Sequence, residues 1–288
     1  MSFKARQIDV EFNYFDDSGS TNLKLEGYRC ICEVVGDNAD APGAVQLRIF
    51  GMSLSSMNAL TTKGSAIFGV IKNTVSITAG NAGEPLSQVF FGNVTFAHID
   101  FSNAPEVSLN IDASPVALHQ AMPAAGNSFD GVVGVSDAIR ALAAQMNFAF
   151  VDNGVSAKIS DQHLSGSLYN QIQTLAQAGM CTVTFDHQTV TITPNGGAAK
   201  YEMINLSPET GLVGYPTYLP RSYAGVCLFE PRLRFMGQIN LTGSQIEQAN
   251  GVWQICYVTH SLSTLTPNGP WFSHFQFVPV GTPTMSNV

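Results

Sequence analysis

Residues 129–193 constrain the chain most. They carry two short amphipathic helices, each followed by strand-forming runs, between two long stretches that read almost wholly as β. In residues 135–146, Ser136 or Asp137 caps the start, and Ile139, Leu142, Ala143 and Met146 fall at i, i+3, i+4 and i+7, which makes one apolar face. A second helix is expected from residues 165–167 to Ala178, with Leu168, Ile172, Leu175 and Ala176 on one face and Gly179 supplying the left-handed stop. Residues 148–151 and 157–159 read as strands between the helices. Residues 181–185 and 189–193 alternate with period two about a turn at 186–188. With His187 and Gln188 as a two-residue loop, Phe185 faces Val190 and Val183 faces Ile192, so both runs turn their apolar residues to one side. The order is α-β-β-α-β-β. Helices of this length are marginal alone, below roughly 12 to 15 residues, so both must dock on the small sheet.

The flanking halves follow a different rule. Ile8, Val10, Phe12 and Tyr14 alternate with polar residues, and residues 16–20 turn the chain into a long strand expected over 23–35. Further strands are expected at 44–50 and 74–79. A short helix capped by Ser53 lies between them, with Leu54, Met57 and Leu60 on its apolar side. Residues 87–100 are too many for an ordinary strand, with Gly92 as a bend, and residues 106–112 pair back across a Pro105 turn. Residues 251–261, a turn at 264–270 and residues 271–280 repeat that ending. His98 and His260 fall at similar points of the two long strands, which suggests internal duplication; coincidence between two ordinary hairpins is the alternative. Residues 114–126, rich in Ala, Pro and Met, suit a linker with a helical turn at 116–120. The expected units are residues 1–115, 116–197 and 198–288, each small for a domain but plausible in a chain of 288 residues.

Composition excludes several functions. Charged residues make up only 12% against 45% hydrophobic, so much of the surface is expected to be covered by neighbours. The net charge is -8 and the 13 Lys and Arg are scattered, which argues against a protein that grips a duplex by its phosphates. The N-terminus lacks the apolar centre of a signal peptide, and no apolar run nears the roughly 18 residues of a membrane span, so cytosolic synthesis without membrane insertion is expected. Cys30, Cys32, Cys181, Cys227 and Cys256 sit in apolar strand-like runs as buried thiols. Cys30 and Cys32 share a face, but no second close pair completes a tetrahedral metal set. His98, His119, His163, His187, His260 and His274 are candidate bases, yet Asp186 and His187 occupy a turn, and no nucleophile elbow, zinc helix, phosphate loop or dinucleotide fingerprint is present. The expectation is no enzyme, no metal and no cofactor.

Specific segments then resemble a known family. Residues 211–217 (GLVGYPT), 225–231 (GVCLFEP), 250–253 (NGVW), 259–264 (THSLST) and 268–271 (NGPW) are similar to the C-terminal half of baseplate hub proteins of contractile-tailed bacteriophages, and residues 46–52 (QLRIFGM) and 89–94 (VFFGNV) add the first half. The resemblance implies an α+β, mostly β chain: two tail-tube-like antiparallel β-barrels with a small α/β domain between them. It implies a virion protein, a homotrimer whose six barrels continue a hexameric tail tube toward a central spike, with wedge proteins around it. A hub-like part of a contractile injection or secretion machine is the alternative. The α-β-β-α-β-β segment also resembles the docking domains at the N-terminus of outer-membrane secretins, which suits a protein-docking role. DNA passing through such a ring needs a wall that repels phosphate rather than holding it. Candidate lumen acids are Asp9, Glu11, Asp16, Asp17, Asp100, Asp112 and Glu230, with solvated outer acids as the alternative reading. Met57, Phe68 and Trp271 are candidate interface residues.

Overall fold

The computed structural model describes residues 4–16, 19–39, 41–61 and 72–283. The first half comprises β1 (Arg6–Asp16), β2 (Gly19–Leu25), β3 (Arg29–Val35), β4 (Ala44–Phe50), helix α1 (Leu54–Leu60), β5 (Thr74–Asn81), β6 (Ser87–Asp100) and β7 (Ser108–Ser114). Its strands lie in the order β2-β1-β5-β6-β7-β4-β3, each antiparallel to its neighbour. Alternation drives this: Val45, Leu47 and Ile49 of β4 point inward while Gln46 and Arg48 point out, and Ile8, Val10, Phe12, Ile77 and Leu109 join the same core. The strand expected over 23–35 is two strands, because Gly27 takes φ +70 and turns the chain between β2 and β3.

Helix α1 begins where its cap was read, with the Ser53 side chain accepting the Ser56 N–H. Met57 and Trp271 are corrected from interface to core: they are only 4% and 8% exposed and pack in the first half's own apolar cluster. Phe68 lies outside the described residues.

The middle unit holds α2 (Ala117–Ala121), β8 (Asn127–Gly134), α3 (Val135–Gln145), β9 (Ala149–Asp152), β10 (Lys158–Leu164), α4 (Leu168–Ala178), β11 (Cys181–Asp186) and β12 (Thr189–Pro194). Its sheet is two sheets. β8 pairs β10, and β11-β12-β9 form a second sheet in which β9 runs parallel to β12. Strand β8 escapes a pattern reading because its residues are mostly polar or half-exposed, with little alternation. Ile139 and Leu142 of α3 and Ile172 and Leu175 of α4 are fully buried between the helices and the sheets, each contributing roughly 1.5 to 3 kcal/mol by burial. The β11–β12 turn puts His187 at φ 46 and Gln188 at φ 58, both positive as a type I′ turn requires, and Phe185 stands opposite Val190 as its spacing indicated.

The second half contains β13 (Ile204–Leu206), β14 (Leu212–Tyr218), β15 (Tyr223–Leu228), β16 (Gln238–Leu241), β17 (Gly251–Ser263) and β18 (Trp271–Pro279). Its order is β14-β15-β18-β17-β16, with β13 parallel to β16. The far end of β17 lies antiparallel along β3, Thr259 opposite Val35 and Ser263 opposite Ile31, so both halves merge in one 13-stranded sheet.

The halves share a strand order, β3-β4-β7-β6-β5 against β14-β15-β18-β17-β16. One row of opposed residues makes the match explicit: Glu33, Gln46, Asp112 and Phe96 correspond to Val213, Val226, His274 and Thr259. His98 and His260 are not equivalent in this match. His98 corresponds to Ser261 and points outward, whereas His260 is buried and hydrogen-bonds Ser273 at 2.8 Å; one residue of register separates opposite faces.

Candidate functional site

The sheet leaves one side to its core and the other to its surroundings. Following the pairings across the strands, the outward side carries Gln7, Asp9 and Glu11 of β1, Ser76 and Thr78 of β5, Asp112 and Asn110 of β7, Gln46 and Arg48 of β4, and Glu33 of β3. It continues without a break onto Thr259 and Ser261 of β17 and His274 of β18. Most of these side chains are short and polar. They are tied laterally: Asn22 donates to Glu11 at 2.6 Å and to Asn13 at 2.8 Å, Gln7 donates to Asp9 at 2.9 Å, and Arg48 donates to Asn110 at 3.1 Å. Such bonds hold the side chains flat along the sheet and leave its acids as a fixed field.

The structure brings four of the seven candidate acids onto this face. Asp9, Glu11 and Asp112 lie on it by pairing, and Asp100 ends β6 on the same side, where the Ser102 hydroxyl and N–H hold its carboxyl below the ordinary range. Asp16 is the last residue of β1, and Asp17 falls outside the described residues. Glu230 is placed elsewhere. It follows β15 behind the sheet, where burial raises its carboxyl but the Arg232 fork, donating at 2.9 Å to both oxygens, outweighs this and lowers it.

A second constellation sits where the three apolar cores meet. Asp37, on the loop after β3, is buried, and its two oxygens accept the N–H groups of Gly43 and Phe185, each at 2.5 Å, so one side chain joins the first half to β11. Burial is the largest influence and pushes this carboxyl up to about 7, against the opposing pull of the two N–H donors. Beside it, Asp186 is bonded by His187 at 2.7 Å and by Arg234 at 2.8 Å. Burial raises Asp186, and the His187 and Arg234 contacts more than reverse that. Arg234 also lies over the Tyr201 ring, and buried His260 is pushed down to about 4 by loss of hydration. These groups line a cleft of about 60 Å³ between the cores. Sequence reasoning missed it, because residues 37, 186, 234 and 260 carry no common motif and meet only through the β3–β17 junction.

This cluster does not form a hydrolytic triad. Asp186 and His187 are neighbours on a turn, and Asp186 is engaged by Arg234 rather than by a nucleophile. Cys30 and Cys32 are buried and their thiols are pushed upward by desolvation, Cys30 to about 12, away from the thiolate that a metal needs. Among the described residues no group of three His, Cys, Asp or Glu is placed to hold a metal. No described helix is long and apolar enough to cross a membrane.

This fold is that of phage tail proteins. The structure is similar to the 43 kDa tail protein of prophage MuSo2 from Shewanella oneidensis, with 11% identity, a TM-score of 0.63 and coverage of 96% of this chain and 99% of that one. It is similar to a tail protein from Neisseria meningitidis, with 9% identity, a TM-score of 0.64 and coverage of 97% and 98%. An E. coli component of the type VI secretion system, described as structurally similar to the T4 tail proteins gp27 and gp5, matches at 12% identity with a TM-score of 0.61, over 90% of this chain and 76% of that one. The sequence profile described as Baseplate hub gp41 matches residues 47–266, and the chain belongs to that family. No curated protein matches the sequence. The chain is thus a structural component of a tail baseplate.

Proposed function

We propose that three copies of this chain close into a ring that joins a tail tube to a central spike, with the outward face of the sheet lining the lumen. The observation that carries this reading is the passage of one sheet from the first half into the second through β3 and β17. Two units of like strand order, joined side by side, present three chains as six similar wall segments, and head-to-tail contacts of this kind close when the rotation permits. Three chains carry three times -8, or -24, formally. The polar face with Asp9, Glu11, Asp100 and Asp112 suits a wall along which phosphates slide without being held. Tube, spike and wedge proteins are the protein partners in this reading, DNA crosses the lumen without specific binding, and the α/β unit docks a wedge or spike protein outside the ring. Synthesis takes place in the host cytoplasm before assembly into the virion.

Light scattering over a range of concentrations tests the assembly. The expected mass is about three times 30.8 kDa, alone or once a spike protein is added. A chain that stays monomeric in both cases overturns the ring. The fold shared with the E. coli secretion component favours one further reading, in which the same ring belongs to an injection machine that carries protein rather than DNA.

A further inference from the structure

The cleft where the three cores meet has a surplus of acceptors. Asp37 forms its floor: it is 9% exposed, and its two oxygens accept one N–H each, from Gly43 and from Phe185, which leaves a lone pair on each carboxylate oxygen unused. His187 lines the same cleft. Its Nδ1 lies 2.7 Å from the Asp186 carboxyl and is therefore the donor of that pair, which makes Nε2 an acceptor in the neutral ring. That Nε2 is buried and has no partner among the described residues. Buried polar atoms are as a rule hydrogen-bonded, so two acceptors in one cleft call for a donor.

The described residues of the chain do not supply one. Arg234 is engaged by Asp186 at 2.8 Å, and no lysine lines the cleft. The charge that acts on Asp37 is that of Asp186, which has the same sign and adds to the effect of burial. Asp186 and Arg234 are 34% and 39% exposed, which sets their ion pair at the mouth and the Asp37 carboxyl beneath it.

The rest of the slot is apolar. Val89, Phe90, Leu233 and Val258 are buried and bound a space of about 60 Å³. One water needs roughly 10 to 15 Å³ of such space, so the slot takes about four groups of that size. An apolar wall above an acidic floor matches a side chain with a methylene stem and a compact charged end. Lysine has that form, with three donors on its ammonium, whereas the arginine fork is planar and broader. We infer that the cleft is a binding site for a primary alkylammonium group, the lysine side chain of a partner protein, whose ammonium donates to Asp37 and to His187 Nε2 while its methylenes lie against Phe90 and Leu233. The contact is independent of ring closure and sets its partner at the junction of the first half, the α/β unit and the second half.

The test uses Nα-acetyl-lysine N-methylamide, which carries that side chain on an uncharged backbone, and its norleucine counterpart, which carries the stem without the ammonium. Each is added to the full chain at pH 8, where Asp37, at about 7, is mostly ionised and the amine, at about 10.4, is charged. At about five times its dissociation constant the lysine compound should raise Tm by roughly 2 °C over the norleucine compound, with sodium chloride added to match the salt. Asp37→Asn keeps the shape of the floor, removes its charge and should lose most of that rise. A second readout needs no altered floor. The His187 Nε2 signal of ¹⁵N-labelled protein, assigned by its absence from His187→Gln, should move with the lysine compound and stay in place with norleucine. No rise in Tm together with an unmoved Nε2 signal overturns the site. An equal rise in the parent and in Asp37→Asn overturns it too, because the compound then binds elsewhere. Tighter binding of the matching arginine compound would overturn the choice of ammonium.

Discussion

Asp37→Asn should reverse its own effect on stability as pH changes. The folded-state carboxyl lies at about 7 against an ordinary value of 3.8, so the folded chain keeps a proton that the unfolded chain releases between about pH 4 and 7. Its contribution is therefore full below pH 4 and is lost as pH rises toward 7. The interval from 3.8 to about 7 corresponds to about 4 kcal/mol. Asn removes this titration. It also replaces one of two acceptor oxygens, and because the Gly43 and Phe185 N–H groups bond different oxygens, one of them loses its partner at a cost of about 1 to 3 kcal/mol at every pH. The variant should thus be less stable than the parent at pH 4.5 and equal or more stable at pH 8. Asp186, His187, Arg234, Tyr201 and His260 surround the site and are the same in both proteins. His260 acts oppositely, since its depressed value makes stability fall as pH drops through about 6.5 toward 4, so the parent's own profile is shallow and only the difference isolates Asp37. Urea unfolding at several pH values measures it, and parallel curves for the two proteins would refute the reasoning.

Three further outcomes are expected. Gly92→Ala places a Cβ 2.7 Å from the Ser114 backbone, which cannot yield as a side chain can, and should cost on the order of 1 to 3 kcal/mol by thermal unfolding. Gln188→Gly relieves the positive φ of 58 in the β11–β12 turn and should stabilise the chain by about 0.5 to 1 kcal/mol, read as a rise in Tm. Charge reversal of Asp9, Glu11 and Asp112 to Lys should convert an assembly that ignores DNA into one that binds it, with affinity falling steeply as salt rises; binding unchanged by salt, or no binding, would mean these acids lie away from the DNA path.

The sequence shows the local structure well where one period dominates. Both middle helices, the Ser53 cap and the opposition of Phe185 with Val190 follow from spacing alone, because each is fixed by residues a few positions apart, whereas α3 starts at Val135 behind Gly134 with no side-chain cap rather than on Ser136 or Asp137, and the left-handed residue after α4 is Met180 rather than Gly179. β8 stays hidden because it packs little, and the break between β2 and β3 rests on Gly27 alone, which a run of strand-forming neighbours disguises. The face that gathers Asp9 with Asp112 depends on long-range pairing and on the bulges in β6 that reset which residues point out. A pattern reading fixes the side of each acid within its own strand but not which acids share a sheet, which is why Glu230 joined the set. Asp37 was invisible for a like reason, since its partner Phe185 is 148 residues away.

Electron cryomicroscopy of the assembled ring tests the central claim most directly. The account predicts threefold symmetry, with Asp9, Glu11 and Asp112 projecting into the lumen from a wall in which β3 and β17 are neighbours. A ring whose lumen is lined by α3 and α4 or by basic side chains, with the polar face of the sheet turned to the outside, would contradict it.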